Sequence, residues 1–253
     1  MIVNPHLEGD PFYWQGGPVG ILLSHGFTAT TAEVRPLARA LHARGYTVAG
    51  PLLPGHKTTP EDLNNCRWQD WAAAVENTYQ ELASRCRTVF VGGESTGAVL
   101  ALYLASVHPE AAGILAYAPA LRLRLSRLQQ LLLPLLAPFK ASIQKPVQNR
   151  ARGIADDLWQ GYPVNPLKGV LQLLWLQRVV RARLPSIYQP LLVIQGRLDP
   201  TVHPAVPAIL SNETSSTIKE VVWMEQSAHC AVIDCEQEQV CALTLQFIER
   251  VLA

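Results

Sequence analysis

Cysteine is scarce and shows no pairing pattern: the 253-residue chain has five, an odd number, and none forms a CxxC pair. This argues against a disulfide framework and against a CxxC redox or zinc motif, so the five read as reduced thiols of a cytoplasmic protein. Long apolar runs are missing as well. The most apolar stretch, Leu131 to Phe139, is short and broken by Pro134 and Pro138, so no segment is expected to span a bilayer. Residues Met1 to Asp10 have neither a basic start nor an apolar h-region and do not read as a signal peptide. There is no internal repeat or low-complexity tract. Nucleic acid is not an expected partner, because the chain has no recognised binding motif and no obvious series of stacking aromatics.

What is present is enough for a large core. Hydrophobic residues make up 49% of the chain, and the length suits one domain, alone or with an inserted cap. The net charge of +1 hides an asymmetry. Residues 121–185 carry eleven Lys/Arg against two acids, Asp156 and Asp157, for a net +9, and the remainder is −8. Two readings stay open: a basic segment with an anionic partner, or a basic cap attracted to an acidic core.

Strand-like and helical runs alternate. Strands are expected at Phe12–Trp14, Val19–Ser24, Tyr46–Ala49, Val89–Val91, Ile114–Tyr117, Leu191–Gly196 and Ile218–Trp223. Helices are expected at Glu33–Arg44, with Gly45 as its stop, and at Trp68–Ala83, Ala98–Val107 and Glu236–Leu252. This alternation predicts an α/β fold with a mostly parallel central sheet flanked by helices. It fails between Ala120 and Tyr188, where there is helical patterning, several prolines and no convincing strand. The expected organisation is therefore a core of residues 1–119 and 187–253 with a helical cap, 120–186, over the carboxyl ends of the strands. Most of the cap leucines should pack on the core or on each other, with a subset lining a pocket for an apolar substrate tail.

The most informative run is Thr88 to Leu102, which holds Gly93-Glu94-Ser95-Thr96-Gly97 between an apolar β-branched stretch and an Ala/Leu-rich one. Strand, sharp turn and helix, with a serine at the tip, place that hydroxyl clear of the sheet edge as a nucleophile. A serine hydroxyl needs a base, and the base needs an orienting carboxylate. Where such an elbow carries a triad, the acid and then the histidine follow it along the chain. Of seven histidines, His108, His203 and His229 lie downstream, and His108 falls on or near a predicted helix. His229 sits in the loop between the last strand and the last helix and is the expected base, whereas His203 reads as opening the helix after Asp199. Asp199 follows the strand Leu191–Gly196 directly and is the expected acid, with an N-cap as its other reading. Asp234 is the rival acid, but it follows His229. The oxyanion needs two backbone N–H donors, expected from Thr96 and from Phe27 in the loop after the strand Val19–Ser24. His25 reads as a structural hydrogen-bonding residue, Glu94 has no catalytic role, and Cys230 reads as a small buried packing residue.

Together these pieces resemble the α/β-hydrolase family, and within it the small bacterial carboxylesterases and monoacylglycerol lipases. The resemblance rests on Leu22–Thr28, Val34–Ala38, Gly45-Tyr46, Pro54-Gly55-His56, the Trp68/Trp71 pair, Gly93–Gly97 and Glu225–His229 leading to Asp234. It covers nearly the whole chain outside the cap. It implies a Ser95–Asp199–His229 triad, Phe27 and Thr96 as oxyanion donors, short- to medium-chain acyl esters or monoacylglycerols as substrates, and no cofactor or metal. The chain departs from the family pattern at Ala228, where Gly is frequent, at Lys57, where Gly is frequent, and in its basic, Leu-rich cap. Other readings remain: a thioesterase, acyltransferase or perhydrolase on the same triad, a non-catalytic ligand receptor of the same fold, or an interaction protein using the basic cap. That cap is also expected to be drawn to anionic lipid surfaces.

Overall fold

The computed structural model describes residues 2–145 and 154–253. Its strands are β1 (Phe12–Trp14), β2 (Val19–Ser24), β3 (Thr47–Gly50), β4 (Thr88–Glu94), β5 (Gly113–Tyr117), β6 (Ser142–Gln144), β7 (Val164–Pro166), β8 (Leu191–Gly196) and β9 (Lys219–Met224). Its helices are α1 (Arg35–Ala43), α2 (Pro60–Asn65), α3 (Trp68–Arg85), α4 (Thr96–Val107), α5 (Arg127–Leu136), α6 (Ile154–Leu158), α7 (Leu167–Arg183), α8 (Val206–Glu213) and α9 (Gln237–Leu252). Seven strands form one sheet in the order β1-β3-β2-β4-β5-β8-β9. Strand β1 runs antiparallel to β3, and every other neighbouring pair is parallel.

Strand alternation assigns the core to two faces. Leu22, Val89, Val91, Ile114, Ala116, Leu191 and Val193 pack in one cluster with Trp71 and Tyr79 of α3, with α4, and with Leu173, Leu176 and Val180 of α7. Their neighbours Ile21, Leu23, Phe90, Leu115, Tyr117, Leu192 and Ile194 pack on the other face with Leu37 and Leu41 of α1 and Phe247 and Ile248 of α9. Inner strands buried on both faces read as continuous apolar runs, which is why β2, β4 and β8 are legible without alternation. Helix α4 is buried on nearly all sides, as its Ala/Leu/Val composition requires.

Between β5 and β8 the chain leaves the sheet. Long helix α7 returns to the core cluster, but α5 does not: Leu128, Leu131 and Leu135 are 63%, 71% and 66% exposed. Among the described side chains of this helix only Leu133 is buried, against Ala137 and Leu167. The leucines of α5 therefore remain largely on the surface instead of mostly packing. The segment also contains β6 and β7, which pair antiparallel, where no strand was expected. Strands of three residues are too short to display a period. The segment is stitched to the core by the Val3 N–H to the Gly161 carbonyl at 2.9 Å and the Tyr162 N–H to the Thr28 carbonyl at 2.9 Å. Buried Gln160 accepts from the Thr30 hydroxyl and donates to the carbonyls of Asn4 and Leu7. Arg150 and Arg152 of the basic count lie outside the described residues.

Two local differences have simple causes. Helix α2 was not expected, although Thr59 caps it (Oγ1 accepts from the Asp62 N–H at 3.1 Å) and Pro60, Glu61 and Asp62 fill its first turn. Six residues give no helical period. His203 does not open a helix: α8 begins at Val206, and His203 Nδ1 accepts from the Ala205 N–H at 3.2 Å just ahead of it.

Candidate active site

Ser95 is the residue between β4 and α4, and its backbone is left-handed, with φ +56°. For a residue with a Cβ this is strained, and the strain persists because both flanking elements are buried. The two glycines of the pentapeptide are required by crowding. A Cβ on Gly93 would lie 2.3 Å from the Ser24 carbonyl oxygen, and one on Gly97 only 2.1 Å from the same atom. The Ser95 N–H donates to the Tyr117 carbonyl at 2.8 Å, so the neighbouring strand β5 fixes the turn.

The elbow delivers Ser95 Oγ to 2.9 Å from His229 Nε2, and His229 Nδ1 lies 2.8 Å from Asp199 Oδ2. Asp199 is buried at the end of β8. Its Oδ1 accepts the N–H groups of Thr201 (2.6 Å) and Val202 (3.0 Å), and its Oδ2 also accepts from Gln195 Nε2 at 2.7 Å. Burial alone would raise the Asp199 pKa, but the imidazole and these backbone donors outweigh it and hold the carboxyl below the usual carboxylate range. For His229 burial pulls down, and the charge and hydrogen bond of Asp199 outweigh it, so its pKa lies above the ordinary 6.5. The ionised acid thus favours the protonated base that proton abstraction from Ser95 would create.

The loop that carries His229 is itself tied down. Asp234 Oδ2 accepts the Ala228 N–H at 2.8 Å, and Glu236 Oε2 accepts the Gln226 N–H and the Ser227 hydroxyl. Asp234, the rival acid in the sequence, is spent on the backbone of this loop. Gln195 was missed: it is a strand residue, and only the turn after β8 brings Asp199 back over it.

Phe27 lies in the loop after β2 and lines a cavity together with Ser95, and Thr96, the residue after Ser95, is the first of α4. The Phe27 turn rests on an aromatic cluster built from the sequence motifs around it. Phe27 lies 5.9 Å from Trp71 and 6.3 Å from His56, and His56 is 4.9 Å from His25. Trp71 Nε1–H donates to the Pro54 carbonyl. His25 Nε2 accepts the Leu53 N–H at 3.0 Å, so its Nδ1 carries the proton and donates to the Gly26 carbonyl at 2.9 Å. Burial lowers the His25 pKa to about 4, in keeping with this neutral form. Burial likewise holds His56 well below 6.5. Lys57 stands where the family often has glycine and adopts φ +60°.

The remaining histidines serve elsewhere. His6 is exposed in the N-terminal segment. His42 contacts the Tyr46 carbonyl, and His108 bridges Glu76 and Glu110. Cys230 is buried, as its packing role requires, and burial pushes its thiol well above the usual range.

Two cavities meet at Ser95 and His229. The larger, about 320 Å³, is lined by residues including Leu132, Leu133 and Leu136 of α5, Leu167 and Leu173 of α7, and Phe27. The smaller, about 240 Å³, is more polar and includes Asn4, Glu33, Lys145, Asp156 and Trp159. Residues of the segment between β5 and β8 therefore wall both.

A family model described as serine aminopeptidase, S33 (Hydrolase_4) matches residues 19–236. The chain belongs to this family. It is 37% identical over 247 residues to the thermostable monoacylglycerol lipase of Bacillus sp. (strain H-257), covering 97% of each chain. It is 29% identical over 243 residues to the carboxylesterase of Bacillus subtilis (strain 168), covering 95% of this chain and 96% of that one. A solved structure from work on LipS and LipT, two metagenome-derived lipolytic enzymes, superposes with a TM-score of 0.89 at 34% identity, covering 96% of this chain and 99% of the other. The architecture is accordingly an α/β-hydrolase fold, as the sequence resemblance implied.

Proposed function

We propose that the protein is a serine carboxylic-ester hydrolase acting on short- to medium-chain acyl esters or monoacylglycerols. The observation that carries this reading is the unbroken hydrogen-bonded line from Ser95 through His229 to Asp199, opening onto an apolar cavity. The names of the two Bacillus relatives support the ester as substrate class.

In this mechanism His229 Nε2 takes the Ser95 hydroxyl proton while Oγ attacks the ester carbonyl carbon. The oxyanion is received by the Phe27 and Thr96 amides, the latter at a helix N-terminus whose dipole adds to the stabilisation. The tetrahedral intermediate collapses, and His229 passes the same proton to the departing alcohol oxygen. Water then enters, gives a proton to His229 and attacks the acyl carbon. The second intermediate releases the acid and returns the proton to Ser95. Asp199 keeps Nδ1 protonated throughout, which leaves Nε2 as the acceptor.

The larger cavity receives the acyl chain in this reading, with residues 120–186 as its cap. The test is hydrolysis of p-nitrophenyl esters of increasing chain length and of monoacylglycerols, with Ser95→Ala as control. Turnover on esters that vanishes in the variant supports the reading. A folded wild-type protein that turns over no ester, or that prefers acyl-CoA thioesters, contradicts it.

The outer face of the cap extends the reading to lipid surfaces. Helix α5 presents exposed Leu128, Leu131 and Leu135, Phe139 follows it at 91% exposure, and the surrounding segment is strongly basic. Such a face favours the apolar, anionic boundary of a lipid aggregate.

A further inference from the structure

Two buried carboxyl groups lie beside the triad without a task in it, Glu33 and Glu94. Glu33 ends the short 3-10 turn Thr31–Glu33 that Thr30 caps. It is 2% exposed, yet it borders the smaller cavity together with Gly26, Phe27, Ser95 and His229. Its Oε2 accepts the Gly26 N–H at 2.7 Å. Its Oε1 lies 3.6 Å from the Sγ of Cys230, the residue after His229. One carboxyl group therefore touches both the loop after β2 and the loop that carries the base.

The Gly26 contact bears directly on the oxyanion donor. The Gly26 carbonyl and the Phe27 N–H belong to a single planar peptide unit, so whatever orients one orients the other. His25 holds that carbonyl at 2.9 Å, and Glu33 holds the preceding N–H at 2.7 Å. Gly26 is thus clamped from both sides, and the direction of the Phe27 N–H is set by the clamp.

We propose that Glu33 is a positioning residue for ester hydrolysis, locking the Gly26–Phe27 turn and presenting a second negative charge to the imidazolium of His229. This rests on the ester-hydrolase reading above. The groups facing Glu33 come from four places: the Gly26 N–H after β2, His229 and Cys230 after β9, Lys145 after β6, and Glu94 at the end of β4. Burial holds the Glu33 pKa above its ordinary value, and the Gly26 N–H, His229, Cys230 and Lys145 oppose that rise without cancelling it. At the end of β4, burial and the nearby carboxyls of Glu33 and Asp199 push the Glu94 pKa well above its ordinary value. His229 is among the groups that lower the pKa of both Glu33 and Asp199, so the imidazolium and these two carboxylates stabilise one another.

The test compares the full-length wild type with E33Q and E33A, measuring kcat and KM on p-nitrophenyl octanoate across the pH range, with thermal melting alongside. E33Q keeps an acceptor oxygen for the Gly26 N–H and loses the charge. It should lower kcat by about tenfold with KM changed less than about twofold. It should also move the acid limb to lower pH, because the Glu33 charge raises the His229 pKa. E33A loses clamp and charge together and should fall by about a hundredfold. An E33Q enzyme with the wild-type kcat and acid limb overturns the proposal, as does one that loses melting temperature and activity with no shift of the acid limb. If E33A does not fold, the E33Q comparison decides alone. No turnover by the wild type sinks both this proposal and the ester-hydrolase reading, whereas an active wild type matched by E33Q sinks only the role of Glu33.

Discussion

Ser95 Oγ, His229 and Asp199 act as one unit in this account, so the loss of any one should cost most of the rate. Ser95→Ala should reduce kcat by about 10⁵- to 10⁶-fold with melting unchanged. Asp199→Asn should cost about 10⁴-fold. With the amide oxygen accepting from Thr201 and Val202, its NH₂ faces His229 Nδ1 and drives the ring to the wrong tautomer. The base must be neutral to accept a proton, and its pKa is raised, so kcat/KM should fall on acidification with a midpoint above 6.5. A midpoint below 6.5 would mean that Asp199 does not govern the titration. That Ser95, His229 and Asp199 would come together, as the structure shows, was legible because the pentapeptide and the chain order Ser, Asp, His are local and ordinal signals. Gln195, Glu33 and Glu94 were not. A polar residue in a strand or turn reads as exposed, and only the assembled fold buries these three beside the site.

Among the elements, the elbow is the most constrained. Gly97→Ala places its Cβ against the Ser24 carbonyl, backbone that cannot yield, and should destabilise by about 3 kcal/mol or more in chemical denaturation. Gly45 offers a contrast at the end of α1. Its φ is +88°, but a Cβ there would meet nothing within 4 Å, so Gly45→Ala should cost only backbone strain, about 1 kcal/mol. Equal losses at the two sites would contradict this division between clash and strain. The long elements could be read from composition and period, down to Gly45 as the stop of α1. The short ones, α2, β6 and β7, could not, because three to six residues carry no period. Helix α5 misled in another way: its apolar stripe is real, but most of it faces outward.

For the whole molecule, the sheet brings loops from four strands to one edge, and the segment between β5 and β8 covers them. The two cavities share Phe27, Ser95, Lys145 and His229, so acyl chain and alcohol can occupy separate spaces on either side of the nucleophile. The +9 segment adds a long-range consequence. Turnover of a matched lipid should be faster in anionic than in zwitterionic vesicles, and salt should erase the difference. Rates indifferent to headgroup charge and to salt would remove that surface role while leaving the chemistry intact. Ser95 as the nucleophile is tested by labelling with a fluorophosphonate followed by peptide mass spectrometry. One adduct per chain is expected, on the peptide carrying Ser95, formed in step with the loss of esterase activity. An active enzyme that takes no label, or takes it on another residue while Ser95 stays unmodified, would contradict it.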